Sequence, residues 1–143
     1  MLQIVSAVNQ LSWYNHRTNI ADALRNAREG TFDNAGNRPD APDIVIALSD
    51  GFANEEENMV PVESALLKEQ GVRMFSVGVG QKLSMPELDT ISSKPYTHHK
   101  FLLEDYTDLV QRVDDIYNAI CGRMYTFCNN SLEECFFLNN HNL

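Results

Sequence analysis

The chain has 143 residues, of which 43% are hydrophobic, and its 20 acidic and 11 basic residues give a formal net charge of −9. This length and composition suit one globular domain with a core of its own. The acidic balance disfavours nucleic acid and anionic membrane surfaces as partners, because phosphates attract surfaces rich in lysine and arginine.

The sequence predicts no membrane span and no export signal. No stretch approaches the roughly 18 to 20 consecutive apolar residues that a span needs. The start, Met1-Leu2-Gln3-Ile4, lacks the basic and long apolar regions of a signal peptide.

Cys121, Cys128 and Cys135 have neither the spacing of a zinc site nor that of a disulfide framework. We expect incidental or singly paired thiols, or pairing between chains in an oxidising compartment.

Two helices are predicted at the start of the chain. Apolar residues recur at helical spacing at Leu2, Val5, Val8 and Leu11, and again at Ile20, Leu24 and Ala27. We expect the first helix to end near Ser12 and the second near Gly30, before a loop that is rich in glycine and proline.

Strands and helices then alternate. The apolar run Ile44 to Leu48 predicts a parallel strand covered on both faces. Asp50 and Gly51 follow at the carboxyl end of this strand. The remaining predicted elements are a helix from about Glu55 to Gln70, a strand from Val72 to Val79, a helix opened by the capping box Ser84-Met85-Pro86-Glu87, and a short strand from Lys100 to Leu103. A last helix is predicted from Asp105, with Leu109, Val113, Ile116 and Ile120 on one face.

This order predicts an α/β fold with a mostly parallel sheet flanked by helices. We assign residues 1–121 to the domain. Residues 122–143 keep no regular period, and we expect a poorly ordered tail there. Asn129-Asn130-Ser131 in this tail matches the N-glycosylation triplet, which has meaning only in a secreted chain.

Three segments in this order resemble the von Willebrand factor type A family, especially its extracellular matrix and collagen-like members. They are Thr18-Asn19-Ile20-Ala21-Asp22-Ala23-Leu24, Asp43 to Gly51, and Val72-Arg73-Met74-Phe75-Ser76-Val77-Gly78-Val79-Gly80. The resemblance covers about residues 1 to 121 and implies a Rossmann-like sheet. It also implies a divalent cation at the top of that sheet, in a metal-ion-dependent adhesion site (MIDAS).

By this resemblance Thr18 and Asp50 correspond to two metal ligands of the family. The implied cation is Mg²⁺, or Mn²⁺ or Ca²⁺ in its place, and Mg²⁺ takes oxygen ligands and keeps several waters. The family's Asp-x-Ser-x-Ser motif does not occur in this sequence. We therefore expect a partial domain that lacks the family's first strands, with cation binding that is weak or absent.

In the family's sheet, the strand that corresponds to Ile44 to Leu48 lies beside the first strand. The resemblance therefore implies that one edge of this strand is unpaired here. An exposed apolar edge recruits another strand or aggregates. We expect marginal stability or pairing with another chain, including self-association through this edge.

Several residues also have simpler structural interpretations. Asp50 can be a turn residue before Gly51, and Thr18 can cap a helix. Glu55, Glu56 and Glu57 are predicted to form a solvated first helical turn rather than cation ligands. His98 and His99 are predicted to lie on the surface. Trp13 and Tyr14 are expected either to pack under the Thr18 loop or to line a recognition face.

We weigh three functions. The first is an adhesion or extracellular matrix module that binds a protein ligand, such as collagen, through a cation; the family implies an extracellular or cell-surface location for it. The alternative is a truncated interaction fragment that binds no metal and pairs with another chain. The third, an enzyme, is disfavoured because no nucleophile, base and orienting group come together in the sequence.

Overall fold

The computed structural model describes residues 2–11, 17–32, 37–38 and 40–121. Its helices are α1 (Leu2–Asn9), α2 (Ile20–Asn26), α3 (Val60–Glu69), α4 (Met85–Ile91), α5 (Tyr96–His99), α6 (Tyr106–Gln111) and α7 (Val113–Cys121). Its strands are β1 (Ile44–Ser49), β2 (Arg73–Val79) and β3 (Lys100–Leu103). The second helix continues as a π-helical segment over Ala27–Phe32, so it does not stop at Gly30 as expected.

Some predictions fall on residues outside this description. They concern Trp13 and Tyr14, Cys128 and Cys135, the triplet Asn129-Asn130-Ser131 and the whole segment 122–143. Across the ranges that are described, no helix is long and apolar enough to cross a membrane.

The sheet is parallel, with strand order β1-β2-β3. Ile44 pairs with Arg73 and Ser76 with Lys100 in its register. Helix α3 connects β1 to β2, and α4 and α5 connect β2 to β3. This confirms the predicted alternation and places the carboxyl ends of all three strands at one edge of the sheet.

The core lies on both faces of the central strand β2, whose residues from Met74 to Val79 are all buried. On one face Met74 packs with α2, α3 and α4 through apolar residues that include Ala21, Leu24, Leu67 and Ile91. On the other face Phe75, Val77 and Val79 pack with α7. Burial of this apolar surface is the main force that holds the layers together.

Strand β1 is less covered than its sequence predicts. Ile46 and Leu48 are 53% and 54% exposed, so the expectation of cover on both faces is wrong for these side chains. They lie on the same face of the sheet as their β2 partners Phe75 and Val77, which are buried in a cluster with Ile116 and Ile120 of α7. A continuous apolar run therefore does not distinguish a buried strand from an uncovered edge.

The last helix is interrupted. A helix begins after Asp105 as predicted, and Asp105 caps this helix, α6, by accepting the backbone N–H groups of Thr107 and Asp108. The helix is interrupted by a turn at Arg112, and α7 begins at the next residue. Helical spacing does not continue across this break, so Val113 is 54% exposed and the single apolar face predicted from Leu109 to Ile120 is wrong there.

His99 is not a surface residue, and that prediction is also wrong. It ends the short helix α5 and is buried, with its ring 4.8 Å from that of Phe75. Its Nδ1 donates to the Pro95 carbonyl at 3.0 Å, which satisfies one ring nitrogen inside the core. Its neighbour His98 is half-buried.

Candidate functional site

Asp50 follows the last residue of β1, at the carboxyl edge of the sheet. Its side chain is exposed, and none of the residues that the structure describes bonds to its carboxylate. The Ser49 hydroxyl accepts the Gly51 N–H at 3.3 Å, so Asp50 lies within a bend. The turn interpretation of Asp50 is therefore confirmed, and the bend leaves its carboxylate exposed.

Thr18 is tied to the loop that Asp50 opens. Its backbone N–H donates to Asn54 Oδ1 at 2.9 Å. Its carbonyl accepts the backbone N–H groups of Asn54 and Glu55 at 3.0 and 3.3 Å. These three bonds place Thr18 beside the loop after β1, although 32 residues of sequence separate it from Asp50.

The cap of α2 is Asn19, not Thr18. The Asn19 side chain accepts the Asp22 N–H at 2.9 Å, which satisfies one of the free donors of the first turn. The alternative role of Thr18 as the helix cap is therefore wrong. The exposed Thr18 hydroxyl remains available to a ligand.

Helix α2 is held on α3 by a buried ion-pair cluster. The Glu63 carboxylate, only 4% exposed, accepts bonds from Arg25 Nε at 3.0 Å and from Arg28 Nε and Nη2 at 3.1 and 2.9 Å. Burial alone would raise the pKa of Glu63, but the bonds from Arg28 and Arg25 outweigh it and hold the pKa below its ordinary value. This cluster fixes the position of the helix that follows Thr18.

A second carboxylate supports the loop from the other side. Ser84 opens α4 and accepts the Glu87 backbone N–H, as the capping box predicts. The Glu87 side chain instead accepts the Ala53 N–H, with its two oxygens at 3.2 and 3.1 Å. Burial raises the pKa of Glu87, the Ala53 bond opposes this rise, and the nearby Glu57 adds to it.

The three consecutive glutamates do not form the predicted first turn of a helix. Glu55 precedes the helical residues and lies 3.6 Å from Arg17, and Glu56 has a left-handed backbone with φ 49°. Glu56 pairs with Arg25 at 3.1 Å. A 3-10 turn then covers Glu57–Met59 before α3 begins. The carboxylates of Glu55 and Glu56 therefore pair with arginines rather than with a metal ion.

A groove of about 330 Å³ adjoins this region between α2 and β1. Thr18 and Asn19 lie at its polar end, and its walls include Ala23 and Leu24 of α2 and the five consecutive residues 45–49 of β1. Because five consecutive residues of the strand line it, the groove follows the edge of β1.

The donors at the carboxyl edge suit a hard cation. A threonine hydroxyl and a carboxylate are oxygen ligands of the kind that Mg²⁺ takes, with water in the remaining positions. No group of three or more histidine, cysteine, aspartate or glutamate side chains arranged for a metal occurs in the described part of the chain. A cation here would depend on Thr18, Asp50 and water.

The sequence could have indicated part of this arrangement. Asp50 is found from its place after an apolar strand, and Thr18 from the resemblance. Asn54 and Glu87 were missed, because their partners lie 36 and 34 residues away and leave no local pattern.

Similar sequences occur in larger proteins. The collagen alpha-1(XII) chain of Oryctolagus cuniculus is 29% identical over 120 residues, which are 83% of this chain and 18% of that protein. Matrilin-1 of Homo sapiens is 29% identical over 119 residues, which are 82% of this chain and 23% of that protein. The chain thus spans about a fifth of the length of these relatives.

Solved structures with the same fold include proximal thread matrix protein 1 (PTMP1) from the mussel byssus. One structure has a TM-score of 0.71 at 28% identity and covers 84% of this chain and 29% of that chain. Another, described as having a zinc occupied MIDAS motif, has a TM-score of 0.72 at 28% identity over the same shares. Over residues 2–116 the sequence matches the von Willebrand factor type A domain. The resemblance seen in the sequence is confirmed, and the chain belongs to the von Willebrand factor type A family.

Proposed function

We propose that this chain is a protein-binding module of the adhesion or extracellular matrix type, with residues 1–121 as its domain and 122–143 as a tail. The observation that carries the proposal is the exposed Asp50 carboxylate, which no described residue engages, in a loop whose Asn54 is bonded to Thr18. A cation held there would keep open positions for an acidic group of the ligand. This role is binding, not catalysis.

The chemistry of the site supports weak cation binding. Thr18 and Asp50 supply one hydroxyl and one carboxylate, and the Asp-x-Ser-x-Ser ligands of the family are not in this sequence. A site with few charged ligands binds a strongly hydrated ion such as Mg²⁺ with low affinity. We infer an incomplete metal site for Mg²⁺, Mn²⁺ or Ca²⁺. Water and the protein ligand would fill the remaining coordination positions of the cation.

The relatives suggest the partner class and location. Their names include a collagen chain, a matrilin and a thread matrix protein. We infer an extracellular or cell-surface module whose ligand is a matrix protein such as collagen. The acidic surface of the chain, with a net charge of −9, also suits a ligand with basic patches.

Calorimetric titration with Mg²⁺, Mn²⁺ and Zn²⁺ tests the metal role. We expect weak binding that Asp50→Ala abolishes and Thr18→Ala reduces, while Asp114→Ala on the exposed surface of α7 leaves it unchanged. Binding that survives in both Asp50→Ala and Thr18→Ala would place the cation elsewhere and refute this site.

The exposed edge of β1 favours a second candidate function. Ile46 and Leu48 are more than half exposed, and β1 ends the described sheet. The chain would then act as an interaction fragment that needs no metal and pairs through this edge with another chain, including a second copy of itself. Sedimentation at several concentrations in EDTA tests this function, because a mixed or self-associated species must persist without cations. Loss of all association in EDTA would exclude it.

A further inference from the structure

The outer edge of β1 presents unpaired backbone groups. The Asp43 carbonyl accepts the Arg73 N–H at 2.9 Å, so alternate residues from Asp43 onward direct their backbone groups toward β2. The N–H and C=O groups of Ile44, Ile46 and Leu48 therefore point to the other side. No strand in the described part of the chain pairs with that side.

The groove beside α2 extends along this same edge. It is lined by residues 45–49 of β1 and, across from them, by apolar residues of α2 such as Ala23 and Leu24. An added strand would bond to the free backbone groups and place alternate side chains in the groove. Its other side chains would lie beside Ile46 and Leu48, whose exposed surface they would cover.

Charge at the two ends of β1 selects the occupant. Asp43 precedes the strand and Asp50 follows it, on a chain with a net charge of −9. In a two-fold antiparallel pair of β1 strands with Ile46 opposite Ile46, which brings the outward backbone groups together, Asp43 of each copy would lie opposite Ser49 of the other, one residue from Asp50. Like charges brought this close across two strands disfavour the pair, whereas opposite charges at these ends of β1 would favour it.

The geometry points to a docking site for an extended apolar segment of another protein that carries lysine or arginine at both ends. The segment adds to the sheet at the outer edge of β1 and fills the groove against α2. This docking rests on the second candidate function above and names its partner by chemistry. A second copy of the chain lacks the basic ends that the site selects.

Binding of a designed peptide to the full chain tests the docking. The probe is a short blocked peptide that alternates valine and threonine between terminal lysines, and its control carries glutamates in place of the lysines. At low salt we expect the lysine form to bind about fivefold more tightly or better, with the difference reduced by added salt. It should also protect the amides of Ile44, Ile46 and Leu48 from hydrogen exchange.

Ile46→Pro is the decisive variant. Its N–H faces away from β2, so proline removes an outer donor and keeps the bonds between β1 and β2. We expect about tenfold weaker peptide binding, while Ile46→Thr, which keeps the N–H, stays close to the wild type. N-methylation of alternate peptide residues tests the same bonds from the partner's side, without any change to the fold of the protein.

Three results would overturn the docking. The first is equal affinity of wild type and Ile46→Pro together with equal binding of the methylated peptide. The second is equal affinity for lysine and glutamate peptides at low salt. The third is a dimer of the chain that excludes the peptide; this result would assign the edge to a second copy and would leave the second candidate function standing.

Discussion

Thr18 and Asn54 hold each other through reciprocal hydrogen bonds. The Thr18 N–H donates to the Asn54 side chain at 2.9 Å, and the Asn54 N–H donates to the Thr18 carbonyl at 3.0 Å. One residue precedes the cap of α2 and the other lies four positions after Asp50. The pair therefore sets the position of the threonine hydroxyl relative to the loop that carries the aspartate.

Asn54→Ala is expected to loosen this arrangement. It removes the side-chain acceptor of the Thr18 N–H, at a cost of about 0.5–1 kcal/mol in an exposed setting. Urea denaturation should show this loss, and Mg²⁺ titration should show weaker binding because Thr18 is no longer fixed. Asn58→Ala, on the exposed surface of the 3-10 turn, is the matched control. Equal Mg²⁺ affinity in Asn54→Ala and Asn58→Ala would contradict a role for this pair in positioning.

Local patterns were sufficient for most of the fold. Some patterns act within a few residues, so the sequence predicts them directly. They are the apolar runs of β1 and β2, the cap at Ser84 and the start of a helix at Asp105. The alternation of these elements then determines a parallel sheet, because right-handed crossovers leave few other topologies.

What the sequence did not predict depends on distant contacts. His99 is buried because Phe75, on another strand, offers its ring to pack against. Glu87 supports Ala53 across 34 residues. Ile46 is exposed, although its β2 partner Phe75 is buried in the cluster that includes Ile116 and Ile120 of α7. Such outcomes depend on which helix covers which strand, and no periodicity of a single segment contains that information.

Glu63→Gln is expected to destabilise the fold in a manner that depends on pH. The variant loses the charge that Arg25 of α2 and Arg28 of the π-helical segment engage, and thermal unfolding at neutral pH should show a midpoint several degrees lower. Because the pKa of Glu63 is lowered in the folded state, its stabilisation is complete above the ordinary value of about 4.3 and is lost as pH falls through the lower folded value.

The difference between wild type and Glu63→Gln should therefore shrink on acidification. Glu69→Gln, an exposed position on the same helix, controls for the loss of a surface carboxylate. A constant difference between wild type and Glu63→Gln from pH 7 to about pH 2 would contradict the assigned ion pairs.

Glu87→Gln is expected to show the opposite pH dependence. The pKa of Glu87 is raised in the folded state, mainly by burial, so its contribution favours folding at low pH and is lost as pH rises through the folded value. Glutamine cannot ionise and still offers one oxygen to the Ala53 N–H. The stability of the variant relative to wild type should rise from pH 4 to pH 7 in parallel thermal melts. A fall over this range would contradict the raised pKa.

Gly78→Ala should destabilise the domain and disturb the groove. Gly78 is buried in β2 beside Ser49 of β1, and a Cβ there would lie 2.7 Å from Leu83 Cδ1 and 2.9 Å from Leu88 Cδ1. Both atoms are ends of flexible side chains, so the expected cost is near the lower end of the range of about 1–3 kcal/mol for overpacking. Leu88 also lines the groove, and its displacement should weaken binding of the lysine-ended peptide.

The control for this variant is Gly30→Ala, where a Cβ meets nothing within 4 Å. That change lies in the exposed π-helical segment and should leave stability unchanged or slightly raised, because alanine restricts the unfolded chain. Urea denaturation of both variants measures the difference. If Gly78→Ala were as stable as Gly30→Ala, Leu83 and Leu88 would have room to move aside, and the packing of α4 against β2 would be looser than the structure indicates.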